Sequence, residues 1–167
     1  MTDLLLLCTK LHTFVIGRFD WAALSTRSHA RLQSLHLPFL RDLSLSGCNF
    51  ESPATFLDLM RLFPALDALY VAAVTYNSSH IDTNADLAPI AVGRLKLMGH
   101  PSLDVEVIRR LAANFRVQSL DIPAYAAACS LFTSAMLESS GDFLRQLKLY
   151  PSKYDGSSQN ASFATVS

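Results

Sequence analysis

Residues 40–50, LRDLSLSGCNF, space their apolar side chains unevenly. Leu40, Leu43, Leu45, Cys48 and Phe50 follow one another at intervals of three, two, three and two. A helix face recurs at three and four, and a half-buried strand at two, so neither pattern fits throughout. An extended segment explains the middle: Leu43 and Leu45 point to one side, Asp42 and Ser44 to the other. Leu40 falls where the chain turns into that strand, and all three leucines can enter one core. The working unit is therefore LxxLxL.

The unit recurs. LHTFVI starts at Leu11, LRDLSL at Leu40, LDALYV at Leu66, VGRLKL at Val92, VQSLDI at Val117 and LRQLKL at Leu144. The start-to-start gaps are 29, 26, 26, 25 and 27 residues. Near-constant spacing of this kind is the mark of an internal repeat. Strands stacked side by side in parallel need crossovers of a dozen or more residues, commonly helical, and the gaps supply them. SPATFLDLMRLFP offers Ser52 as N-cap, Pro53 at the first helical position, and Phe56, Leu59, Met60 and Phe63 along one face; Pro64 ends the run. PSLDVEVIRRLAANF repeats the design with Ser102 or Asp104 as cap and Ile108, Leu111, Ala112 and Phe115 as the buried stripe. ACSLFTSAMLESSG is a third helix, with Gly141 as its stop.

Two crossovers depart from this plan. Residues 77–88, NSSHIDTNADLA, are polar and lack helical periodicity, which predicts an exposed loop. LQSLHL from Leu32 also fits LxxLxL but lies eight residues before Leu40, too close for a full unit. A short extended segment and a ragged helix over 22–33 both remain open there. The final stretch, 151–167, is small and polar and reads as a disordered tail.

LRDLSLSGCNF resembles the leucine-rich-repeat signature LxxLxLxxCxF in its cysteine form. The resemblance spans residues 11–149. It extends to the degenerate repeats of fungal, especially basidiomycete, F-box proteins, and is closest over Leu40 to Val71. It implies an α/β fold: a leucine-rich-repeat solenoid over 1–150, with six parallel strands near 11–16, 40–45, 66–71, 92–97, 117–122 and 144–149. Its crossovers would be mostly helical, on an irregular outer side. The position held by Cys48 is Val74 and His100 in the next units, which implies no regular asparagine ladder and uneven curvature. No segment resembles the F-box itself, so the chain is expected to start inside a repeat array.

Composition narrows the function classes. Half of the 167 residues are hydrophobic and 17% charged, enough for one domain with a sizeable core. Lys plus Arg equals Asp plus Glu at 14 each, which argues against nucleic acid or an anionic membrane as main partner. Cys8, Cys48 and Cys129 form no CxxC pair and read as small buried hydrophobes in a reducing compartment. The apolar run of MTDLLLLCTK is four leucines long and lacks a basic flank, unlike a signal peptide. No stretch approaches the roughly 20 apolar residues of a membrane span. Asn77-Ser78-Ser79 and Asn160-Ala161-Ser162 match glycosylation tripeptides, with nothing else to suggest secretion. The expected location is cytoplasmic or nuclear.

No catalytic signature is present: neither GxSxG, HExxH nor GxxxxGK[ST] occurs. Ser79, His80 and Asp82 share one polar loop, whereas a triad converges from separate rigid elements. The other histidines, His12, His29, His36 and His100, are isolated. The expectation is a protein without enzyme activity, cofactor or metal. What the pattern offers instead is a face of non-core strand positions, two per unit: Thr13 and Val15, Asp42 and Ser44, Ala68 and Tyr70, Arg94 and Lys96, Ser119 and Asp121, Gln146 and Lys148. Solenoids bind through such faces. The binding residues expected are Asp42, Ser44, Tyr70, Arg94, Lys96, Asp121 and Lys148, with Tyr70 and Arg94 as neighbours of hot-spot type. The partner would be a protein on the concave sheet, with ubiquitin-ligase components implied by the resemblance. The alternative is a repeat fragment with a structural role only, dependent on flanking repeats.

Overall fold

The computed structural model describes residues 10–33, 37–78, 89–98, 111–123, 127–150 and 165–166. The fold is mixed α/β. Six parallel strands form one sheet: β1 (Thr13–Gly17), β2 (Asp42–Ser46), β4 (Ala68–Ala72), β6 (Ile90–Met98), β7 (Phe115–Pro123) and β8 (Gln146–Tyr150). Each pairs with the next in that order. A two-residue strand β9 (Thr165–Val166) lies antiparallel to β8; the rest of the tail read as disordered falls outside the described residues. Two further short strands, β3 (Asn49–Phe50) and β5 (Thr75–Tyr76), pair in parallel just past β2 and β4.

The pairing register follows the sequence spacing residue for residue. Thr13 sits beside Asp42, Asp42 beside Ala68, Ala68 beside Arg94, Arg94 beside Ser119 and Ser119 beside Gln146. The middle apolar position therefore forms a column: Phe14, Leu43, Leu69, Leu95, Leu120 and Leu147. Four of these, Leu43, Leu69, Leu95 and Leu120, are fully buried. Most strands begin two residues later than the LxxLxL boundary, because the leading leucine occupies the bend. β6 and β7 instead extend backwards and bury Ile90, Val92, Phe115 and Val117. Burial is incomplete at Phe14, Val71, Leu97 and Leu147, which are half-buried, and least at Leu149, which is 40% exposed against the expectation that it is core.

Gly93 explains how β6 enters its bend. A Cβ there would lie 2.7 Å from the carbonyl oxygen of Asp67, so only glycine lets the two backbones approach this closely. At the other end of the strands, Arg18, Gly47 and Ala73 all adopt a left-handed backbone, with φ of 50°, 62° and 49°. Each donates its N–H across to the following strand, to Ser46, Ala72 and Met98 respectively. The chain then turns away from the sheet.

Just past that turn the side chains align again. Trp21 stacks on Phe50 with centroids 5.5 Å apart and planes 5° from parallel. Tyr76 follows at 6.2 Å from Phe50. Phe56 meets both Phe50 and Tyr76 edge-on and reaches Phe115. Beside this aromatic column runs a polar one: Asn49 donates from Nδ2 to Asp20 Oδ1, and Thr75 donates to Asn49 Oδ1, both at 3.1 Å. Cys48 is buried, its thiol 3.7 Å from the Ile16 carbonyl, and Val74 takes the same place in the next strand pair.

Three helices are described as whole elements. α1 (Thr26–Gln33) places a helix within the 22–33 stretch, while residues 34–36 of the extended alternative lie outside the described residues. α2 (Pro53–Arg61) has Ser52 as N-cap, its Oγ accepting the Thr55 N–H at 3.3 Å, and buries Phe56, Leu57, Leu59 and Met60. α3 (Ala127–Ser140) packs on β7 through an inner side that includes Phe132 and Met136. It stops at Gly141, whose φ is +46°, followed by one 3-10 turn at Gly141–Phe143. Residues 111–113 are helical and bury Leu111 and Ala112; Ser102, Asp104 and Ile108 lie outside the described residues. Arg61 joins these crossovers, bonding Asp58 and Asn114, each at 3.1 Å. α2, α3 and the apolar columns share one core on one side of the sheet.

Urea denaturation should rank three substitutions. Phe50→Ala, at the centre of the aromatic column, is expected to cost about 3–5 kcal/mol. Gly93→Ala, which sets a Cβ against a backbone oxygen, should cost about 2 kcal/mol. Gly47→Ala has space and meets only the left-handed backbone penalty, about 1 kcal/mol.

Candidate functional site

The sheet has a second side, away from α2 and α3, and the expected binding positions all fall on it. The pairing register arranges them in two rows across the strands. One row is Thr13, Asp42, Ala68, Arg94, Ser119 and Gln146; the other is Val15, Ser44, Tyr70, Lys96, Asp121 and Lys148. Strands about 4.8 Å apart make each row a line of closely spaced side chains. Tyr70 stands directly beside Lys96, and Arg94, opposite Ala68, is its diagonal neighbour.

The positions differ in exposure. Arg94 is exposed and Val15 is 66% exposed. Asp42, Ser44, Tyr70, Lys96, Ser119, Gln146 and Lys148 are half-buried. Ala68 and Asp121 depart from the expectation of an exposed face, at 6% and 4% exposure. Ala68 is small and lies between larger neighbours. Asp121 is flanked in its row by Lys96 and Lys148, and Tyr150 adds a bond from the next strand.

That bond makes a small polar centre. The Tyr150 hydroxyl donates to Asp121 Oδ2 at 3.2 Å, while buried Oδ1 has no hydrogen-bond partner. The Lys96 ammonium lies over the Tyr150 ring, 5.7 Å from its centroid, a cation–π distance. Burial pushes the Tyr150 phenol above its ordinary value of 10, and the Asp121 carboxylate raises it further by charge and by accepting its proton, while Arg94 opposes them. Ser119 bonds Gln146 along one row, and Thr13 bonds Asp42 at the far end.

Tyr150 is the residue missed at the sequence level. It lies two positions after Lys148, so strand alternation alone puts it on the same side; following β8 beyond LRQLKL would have found it. Ser79, His80, Asp82 and His100 fall outside the described residues. Among the described residues, no three His, Cys, Asp or Glu side chains converge as metal ligands would. Also among them, no helix is long and apolar enough to cross a membrane.

No family model, no curated protein and no solved structure matches this chain. The face itself is then the ground for any functional reading.

The Asp121–Tyr150 bond is open to titration. Removing the carboxylate in Asp121→Asn should bring the Tyr150 phenol down toward 10, followed by nuclear magnetic resonance of the ring carbons. Tyr76, raised by burial alone, should not move. With its folded value raised, Tyr150 supports the fold fully below pH 10, and that support fades as the pH climbs past 10 toward the folded value.

Proposed function

We propose that this chain is a leucine-rich-repeat solenoid acting as a non-enzymatic protein-interaction module. It binds a protein partner on the side of the sheet opposite α2 and α3, as the substrate-recognition repeats of an F-box-type ubiquitin-ligase adaptor do. The observation that carries the reading is the pair of unbroken side-chain rows across six strands, which mix Tyr, Arg, Lys, Asp and Ser on the side opposite α2 and α3. Tyr and Arg are favoured where interfaces concentrate their binding energy.

The repeat character is supported by what recurs at the strand spacing. The left-handed residues 18, 47 and 73, the polar positions 20, 49 and 75, and the aromatic positions 21, 50 and 76 each step by the same 29 and 26 residues as β1, β2 and β4. A protein of this kind works inside the cell, in the cytoplasm or nucleus. A second reading, a repeat segment with a structural role only, has one observation in its favour: Leu149, a core position of its unit, is 40% exposed and would be covered by a flanking element.

Affinity capture from the source cell's lysate, with residues 1–167 as bait, separates the two. A partner recovered by the native protein and reduced about tenfold by Tyr70→Ala/Arg94→Ala supports the binding face. Recovery of the small adaptor subunit on which F-box modules dock would add the ligase link. Chaperones alone, captured equally by both proteins, would favour the structural reading.

A further inference from the structure

The side opposite α2 and α3 is electrically lopsided. At the β1–β2 end it carries Val15, Thr13, Asp42 and Ser44, with no cation in either row. At the β6–β8 end it carries Arg94, Lys96 and Lys148 against a single carboxylate, Asp121. That carboxylate is 4% exposed, and one oxygen already accepts from Tyr150. The ion pairs Arg41–Asp67 and Arg61–Asp58 involve none of these three cations. The whole chain is neutral, so the local excess of positive charge is a property of this surface rather than of the composition.

We propose that the β6–β8 end of this surface docks an acidic, extended segment of the partner protein. The proposal rests on the interaction role above and names the chemistry of its partner. Lys96 and Lys148 are rooted in one row two strands apart, about 10 Å at the backbone, and the Lys96 ammonium reaches across β7 to the Tyr150 ring on β8. Carboxylates of a segment laid across this end meet Lys96, Lys148 and exposed Arg94, which the single buried Asp121 does not neutralise. Lys96 is held over the Tyr150 ring, which limits the freedom it loses on pairing. A nucleic acid would demand a basic surplus that this chain lacks.

Fluorescence anisotropy with labelled dodecapeptides of Pro and Ser tests this. One probe carries two Glu, a second carries two Gln at the same positions, and a third carries two Lys there. The first should bind about tenfold more tightly than either of the others. Lys96→Gln/Lys148→Gln should lose that preference with an unchanged circular dichroism spectrum. Lys96→Glu/Lys148→Glu should gain affinity for the Lys probe, a result misfolding cannot produce. Panning a random dodecapeptide phage library separates this proposal from the wider one. Acidic sequences support it. Neutral or basic sequences that lose binding on Tyr70→Ala overturn it and leave the interaction role standing. No enrichment together with flat anisotropy overturns both. A labelled single-stranded oligonucleotide that binds more tightly than the first probe also overturns it.

Discussion

Everything in this fold depends on the parallel backbone ladder holding one register from β1 to β8. A strand's side chains alternate, so a slip of one residue would carry Asp42 and Ser44 into the core and put Leu43 and Leu45 in water. The register prevents that by setting Leu43, Leu69, Leu95 and Leu120 in one column, all buried at 0–2% exposure. The same constraint acts on the opposite side, where it leaves polar side chains in rows no single strand could build. Core and surface are thus two products of one set of hydrogen bonds.

Much of this was legible because the LxxLxL spacing encodes register directly. Knowing that Leu43, Leu69 and Leu95 are equivalent is the same as knowing which strands touch where. The α2 cap was legible for a local reason: Ser52 and Pro53 act on their own helix, independent of distant packing. Other features needed the third dimension. The burial of Asp121 depends on neighbours 25 and 29 residues away, Lys96 and Tyr150, and its residue type suggests exposure. The Asp20–Asn49–Thr75 column joins three different residue types, so it leaves no signature in a search for likeness, although its spacing matches the strands. The exposure of Leu149 was hidden too, because the motif says which way a side chain points and not what lies over it.

The neutral total charge illustrates the same gap between composition and surface. Equal numbers of acids and bases exclude a strongly charged molecule, yet they say nothing about distribution. Folding sends Asp42 to one end of a row system and Lys96 and Lys148 to the other. A protein without net charge can still present an oriented field to an approaching partner.

The aromatic column carries a consequence of an optical kind. Trp21 is the single tryptophan in the sequence, 3% exposed and stacked flat on Phe50. Its emission therefore reports on the environment around β1, β2 and β4 and is insensitive to events near α3 and β8, where the described aromatic residues are phenylalanines and Tyr150. Proteins open locally as well as globally, so the two ends of the sheet can open separately. Tryptophan fluorescence alone would then date the loss of one end of the molecule and describe it as the unfolding of the whole.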